Sequence, residues 1–297
     1  MTLPSRILNL VQDAPPEYVF EMSEAGIAWS RTAAPQPSFV PLEPDTVTVS
    51  PLADNVHRAD ALADKVRSIV AGDAKKRRRA VLILPDFCAR VAVLDFDSFP
   101  ADPKEQMSLV RFRMKKSVPF DVESAAVSYH AQAAVKAASK AVNVVVVVAA
   151  LEIVARYEAP FRAAGLQPGL VTTSLIAMAE LNPYTDISVV ARLSGRAITV
   201  AVMNGPLLKL VRCVELPEVT DEEILGMLLP TIAYVEDEMG SRPARLLVCG
   251  FDQDAAWRHE LDVPVEELHS RFGTPNQTNA GLLGYLHSAA GGGIKAA

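Results

Sequence analysis

At 297 residues, half of them apolar and 22% charged, the chain has the composition of a globular protein of two ordinary domains or one large one. Its three cysteines, Cys88, Cys213 and Cys249, are far apart, which excludes a disulfide framework and a C-x-x-C metal or redox pair. The net charge of −6 is unevenly spread: Lys75 to Lys116 holds 11 Lys/Arg against 5 Asp/Glu, a local +6, so the remainder carries −12.

The scattered, odd-numbered cysteines suit a reducing cytoplasm, and residues 1–16 read as irregular, with no continuous apolar core of a secretory leader. Glu17 to Thr32 alternates as two strands around the turn "SEAG". "APQPSFVPLEPD" reads as proline-punctuated connector, and residues 55–72 as an amphipathic helix stopped by Gly72. The run Lys75–Arg79 leads into the buried strand "AVLILPD", and "ARVAVLDF" returns as the next. With no aromatic interleaved for base stacking, the basic run reads as a solvated strand entry, with attraction to anionic lipid as a second role.

Asp102, Pro103 and Glu105 form a helix start: an N-cap, a first-turn proline and an acid three residues after the cap. That helix runs to about Ser117, where Val118-Pro119 ends it. "SAAVSYHAQAA" is a strand. "VNVVVVVAA" is a central one, because β-branched residues on both faces imply burial on both sides. Its apolar run, Val144–Leu151, is far short of the ~18–20 residues of a membrane span. A helix closed by Gly165, a short strand "LQPGLVTT" and a helix "SLIAMAEL" complete the first half. After Pro183 the pattern restarts: three antiparallel strands with turns at "LSGR" and "MNGP", a helix from Asp221 to Met239, strand "ARLLVCG", helix "DQDAAWRHEL", a last helix near "TNAGLLGYLHSA", and a loose tail. The strand triplets with intervening helices repeat once per half, giving a duplicated α/β architecture with a cleft between the halves.

This order resembles the actin-like fold and, more narrowly, the type IV pilus assembly protein PilM family, relatives of the cell-division protein FtsA. The resemblance is carried by "VLILPDFCARVAVLDFDSFP", by the helix running into "SVPFD", by "SAAVSYHAQ", and by "VVVVVAALEIVARYEAPFRAAGLQPGLVTTSLIAMAEL". It implies a first actin-like domain over 1–183 with an inserted subdomain at about 80–165. A second domain over 184–289 lacks most of its helical subdomain, and 290–297 is a flexible tail.

In the resemblance the first phosphate loop reads roughly Asp-x-Gly-Ser-x-x-x-Lys. Here "EMSEAGIAW" keeps an acid at Glu21, has Ser23 in place of the glycine and no following lysine. The second loop should read Asp-Ile-Gly-x-x-x-Thr. Here "RLSGRAIT" puts Arg192 where the acid belongs and Ser194 in place of the glycine, followed by Gly195, with Thr199 retained. The adenosine loop should carry consecutive glycines, and here Gly250 stands alone before Phe251. Backbone N–H groups approach phosphate closely only over glycine, and an arginine cannot hold Mg²⁺. The reading is therefore a pseudo-ATPase, with no catalytic residue, metal or cofactor expected. A divergent ATP-binding ATPase is the alternative, and a nucleic-acid module on the basic segment a third. Among His57, His130, His259, His269 and His287 no pair has i, i+4 metal spacing, and no Walker loop or G-x-S-x-G elbow occurs.

The resemblance implies a cytoplasmic adaptor, peripheral to the inner membrane, that binds the N-terminal peptide of a PilN-like bitopic membrane protein and not nucleic acid. Candidate partner residues lie on "VRFRMKKSVPFD" and just before it: Leu109, Phe112, Lys116 and Phe120. Met107, Val110, Met114 and Val118 fall within an arc of about 80°, the buried stripe. Arg111, Arg113, Lys115 and Lys116 spread over roughly 200° of the remainder, too wide for a groove-reading stripe. They read as the solvent face of the insert, with Leu109 and Phe112 among them.

Overall fold

The structure, a computed structural model, describes residues 16–70, 78–132 and 141–290. The opening segment, the Gly72 helix stop, residues 75–77 of the basic run and the tail beyond Ala290 lie outside these.

In the first half the order is β1 (Tyr18–Met22), β2 (Gly26–Arg31), β3 (Ser38–Pro41), α1 (Ala59–Ile69), β4 (Arg78–Leu84), β5 (Arg90–Phe96), α2 (Pro103–Met114), β6 (Ala125–Ala131), β7 (Val142–Ala150), α3 (Leu151–Ala163), β8 (Leu166–Thr173) and α4 (Ser174–Met178). The second half has β9 (Ile187–Ser194), β10 (Ala197–Asn204), β11 (Leu207–Glu215), α5 (Asp221–Met239), β12 (Arg245–Cys249), β13 (Val265–Glu267) and α6 (Ala280–Ala290).

The two large sheets share one plan. Their orders are β3-β2-β1-β4-β8 and β11-β10-β9-β12-β13, each an antiparallel meander followed by two parallel strands. Alternation along the central strands sorts side chains into layers. Tyr18, Phe20 and Met22 of β1 enter one core with Leu62 and Val66 of α1 and Tyr157 and Phe161 of α3. Val19, between them, points to the opposite face and packs with Leu282 and Leu286 of α6. In β9, Val189, Ala191 and Leu193 face Leu228 and Val235 of α5, while Val190 faces Leu175 and Met178 of α4 and Leu283 of α6. The pair α4 and α6 is thus a helical layer shared by both sheets. It packs backbone to backbone: a Cβ on Gly284 would lie 2.0 Å from the Ala177 carbonyl oxygen, and one on Gly281 2.9 Å from the Ser174 Cα.

The third sheet, ordered β5-β7-β6, is antiparallel. Asp102 caps α2, its carboxylate accepting the Lys104 N–H at 2.7 Å. Val110 and Met114 of α2 cover Val144, Val146 and Val148 of β7. The other face, Val91, Val93, Val145 and Val147, packs on Leu208 and Val211 of β11. So β7 is covered on both faces, fully on the α2 side and partly on the side of the second large sheet. The Gln132 side chain seals this contact: it donates to the Leu208 carbonyl at 2.8 Å and accepts the Leu208 N–H at 2.7 Å.

Several expectations are corrected. The separate sheet spans Arg90–Ala150, tighter than 80–165, because β4 pairs with β1 and β8 and α3 packs into the first core. The supposed connector contains β3, an edge strand on which Pro41 costs no ladder bond to a further neighbour. The first helix starts at Ala59 rather than Asn55, since Val56 makes a β-bridge to Val47. "DQDAAWRHEL" forms only a 3₁₀ turn, Ala256–His259, anchored by the buried Trp257, and β13 follows it.

The α4–α6 contact leaves no room for a methyl group. Gly284→Ala is expected to lower the unfolding free energy by about 3 kcal/mol, read from the urea midpoint.

Candidate functional site

Glu21 and Arg192 are counterparts in the duplicated sheets. Glu21 lies beside Ile83 of β4 and opposite Ala28 of β2, and Arg192 beside Cys249 of β12 and opposite Thr199 of β10. The halves face each other, so the two side chains meet. Arg192 Nη2 sits 2.8 Å from Glu21 Oε1, and Nη1 sits 3.4 Å from Oδ2 of Asp86, which follows β4. All three are buried: Glu21 is 0% exposed, Arg192 2% and Asp86 5%.

Each group is further satisfied. Glu21 accepts the Ser174 hydroxyl at 2.6 Å and the Leu282 N–H, in the first turn of α6, at 2.7 Å. A carboxylate at a helix N-terminus is favoured by the free N–H groups there. Asp86 accepts the Leu175 N–H at 2.6 Å and the Thr199 hydroxyl at 3.2 Å. Arg192 also donates to the Gln277 carbonyl at 2.7 Å. Burial pushes both carboxyls above their ordinary values, against the pull of Arg192 and of these hydrogen bonds. Burial works to lower the Arg192 pKa, but Glu21 and Asp86 outweigh it and hold the guanidinium above its usual value. One permanent cation therefore serves two buried carboxyls.

Above this cluster opens a cleft of about 200 Å³ between the β1–β2 and β9–β10 turns. Ser23, Ser194 and Gly195 line its rim. Ser23 closes its own hairpin, its hydroxyl donating to the Gly26 carbonyl at 3.0 Å. Ser194 donates to the Gln277 carbonyl at 2.8 Å, and Gly195 takes φ +58° in the tight turn. Gly250 does not reach the cleft. Its φ is +83°, a Cβ there would fall 2.2 Å from the Leu193 carbonyl oxygen, and its own carbonyl accepts the Gln277 side chain at 2.9 Å. Phe251 turns inward onto Trp257, ring centroids 5.3 Å apart.

The structure thus joins Glu21, Arg192 and Thr199 in one cluster, places Ser23, Ser194 and Gly195 on its rim, and sets Gly250 behind Gln277. Asp86 and Gln277 were not read from the sequence. Asp86 had a signal, an acid one proline beyond the apolar run "AVLIL"; Gln277, in the polar loop "TPNQTN", had none. Burial pushes the Cys249 thiol up to about 12 and Cys88 higher still, so neither is a nucleophile. Among the described residues no three His, Cys, Asp or Glu side chains gather as a metal site, and no helix is long and apolar enough to cross a membrane.

The candidate partner residues divide. Leu109 and Phe120 are half-buried against the insert core, so Leu109 leaves the basic face assigned to it. Phe112 and Lys116 are exposed. Arg111 donates to the carbonyls of Val122 and Ala125, and Arg113 lies over the Phe96 ring and donates to the Asp95 carbonyl. Half of that basic set thus ties α2 to its sheet.

No family model and no curated protein matches the chain. Solved structures do. One of a PilM–PilN type IV pilus biogenesis complex superimposes with a TM-score of 0.68 at 14% identity, over 92% of this chain and 98% of that one. The cytoplasmic domain of EpsL, an inner membrane component of the type II secretion system of Vibrio cholerae, gives 0.51 at 14% identity, over 93% and 94%. A Bacteroides thetaiotaomicron protein of unknown function with an actin-like ATPase fold gives 0.55 at 13%, over 90% and 95%. The chain has the actin-like fold.

Arg192→Met would leave Glu21 and Asp86 without their cation, and is expected to cost about 3–5 kcal/mol at neutral pH. A carboxyl with a raised folded-state pKa contributes fully below its ordinary value and loses that contribution as pH rises through the folded-state value. The ordinary values are 4.5 for Glu21 and 3.8 for Asp86. The deficit should therefore shrink as pH falls from neutral towards 4.5. Denaturant melts at stepped pH read it; a deficit that grows on acidification would contradict the cluster's charge state.

Proposed function

We propose that this chain is a non-catalytic, actin-like adaptor of a type IV pilus or related secretion assembly. It works in the cytoplasm, peripheral to the inner membrane, where it takes the cytoplasmic N-terminal peptide of a single-span, PilN-like protein. The observation that carries the non-catalytic part is Arg192, clasped between Glu21 and Asp86. A nucleotide cleft of this fold needs an acid from each half to hold Mg²⁺ through water. Here the second-half position is a guanidinium already engaged, and a phosphate reaching it would meet two buried carboxyls. Gln277 lines the cleft on what would be the adenosine side, and its side chain is tied to the Gly250 carbonyl.

The adaptor part is supported by likeness in fold to a protein of a PilM–PilN complex and to the cytoplasmic domain of an inner membrane secretion component. With the cleft latched by side chains, the halves hold one arrangement without a ligand. A peptide groove beside the insert would then keep its shape through the assembly's working cycle.

Two measurements test this. Fluorescently labelled ATP with Mg²⁺ should not bind below the millimolar range by anisotropy; micromolar, Mg²⁺-dependent binding with phosphate release would assign the divergent ATPase instead. A synthetic peptide of the cytoplasmic N-terminus of the single-span protein encoded beside this one should bind by calorimetry, unchanged by ATP. No heat of binding would remove the adaptor reading.

A further inference from the structure

We propose that the exposed face of α2 is a membrane-contact surface that docks on an anionic lipid bilayer. Phe112, 74% exposed, is the most exposed large apolar side chain among the described residues. Lys115, the C-cap residue of α2, and Lys116, in the turn that follows, stand three and four residues further on and are exposed as Phe112 is. Neither lysine side chain has an ion pair or hydrogen bond among the described residues. Arg111 and Arg113, by contrast, are held by carbonyls of the insert. Two cations with no partner among the described residues thus stand beside the exposed phenyl ring. Cations at a helix C-terminus favour the helix dipole, which accounts for the lysines but not for an aromatic ring left in water between them.

The shape selects the partner. A peptide side chain needs a groove, and α2 lines neither the cleft above Arg192 nor the one between Pro183, Leu247 and His269. A bilayer accepts a convex, apolar-tipped, cationic protrusion. The charge agrees: residues 103–116 hold Lys104, Arg111, Arg113, Lys115 and Lys116 against Glu105, a net +4 in a chain of −6. An anionic surface attracts this face and repels the acidic body. The contact needs no partner peptide, so it stands or falls separately from the adaptor reading.

The test is co-sedimentation of the full chain with phosphatidylglycerol-containing vesicles and with neutral phosphatidylcholine vesicles. Binding is expected to the first only, and to weaken with salt. Lys115→Ala and Lys116→Ala should each lower the partition about fivefold, and Phe112→Ser about tenfold, without changing the thermal melt, since all three side chains are exposed. Phe112→Trp should add a component whose emission shifts blue on the anionic vesicles. Equal binding to both vesicle types, no binding, or unaltered binding by the variants overturns the proposal. Tight capture of soluble polyglutamate through the same residues would also overturn it, assigning the face to an acidic protein.

Discussion

Arg192 is a permanent cation deep between two sheets, and it and its partners are almost wholly withdrawn from water. A guanidinium in such a place is tolerable only where carboxylates and carbonyls replace its hydration, and each carboxylate needs the guanidinium in return. Glu21 comes from the first sheet, Arg192 from the second, Asp86 from the strand end between them, and Leu282 from the helical layer that both sheets share. Buried ion pairs add little stability compared with apolar packing, but they penalise every arrangement that separates the partners. Here the penalised arrangements are those in which the halves shift or α6 leaves its seat. The symmetry explains why the pair can exist. Counterpart positions in a duplicated fold face one another, so acids at both would repel unless a cation bridged them. An acid at one and an arginine at the other bind directly.

The insert adds a second tie. Its sheet presents one face to α2 and the other to β11, and Gln132 meets both polar groups of the Leu208 backbone. An edge strand that could pair with another chain is thereby covered along part of its length. The same tie gives the insert a fixed bearing on the second half, although it is attached covalently only to the first. Whatever α2 touches is held at a set orientation to the cleft and to the acidic helix α5.

The plan of the molecule was legible because its central strands are written in long, regular apolar runs: "AVLIL" and "VNVVVVVAA" admit few other readings, and the repeat of the meander after Pro183 announced the duplication. What escaped was short, or at an edge, or polar. β3 hides among prolines that an edge tolerates, and β13 is three residues long. "DQDAAWRHEL" has helical composition, yet Trp257 draws it into the core as a single turn. In the cleft, Glu21 and Arg192 were readable separately as departures from a motif. Their direct contact was not, because it depends on how two distant hairpins face each other. Asp86 lay in plain view as the acid closing a buried strand, and Gln277 acts through its backbone carbonyl as much as its side chain, which no residue pattern records. On α2 the helical period placed Val110 and Met114 correctly. It misjudged Leu109, because a sheet covers a wider arc of a helix than a narrow stripe assumes.

The carboxylate of Glu21 is capped by a backbone N–H 261 positions later in the chain. During synthesis the segment carrying β1 leaves the ribosome long before α6 exists, and even Arg192 arrives 171 residues after it. Until then the acid must stay hydrated, and the apolar strand around it cannot close over it. Domains of most two-part proteins can fold one after the other as they emerge. Among the described residues the first strand is completed by the last helix, so this cluster closes only once translation has passed residue 282.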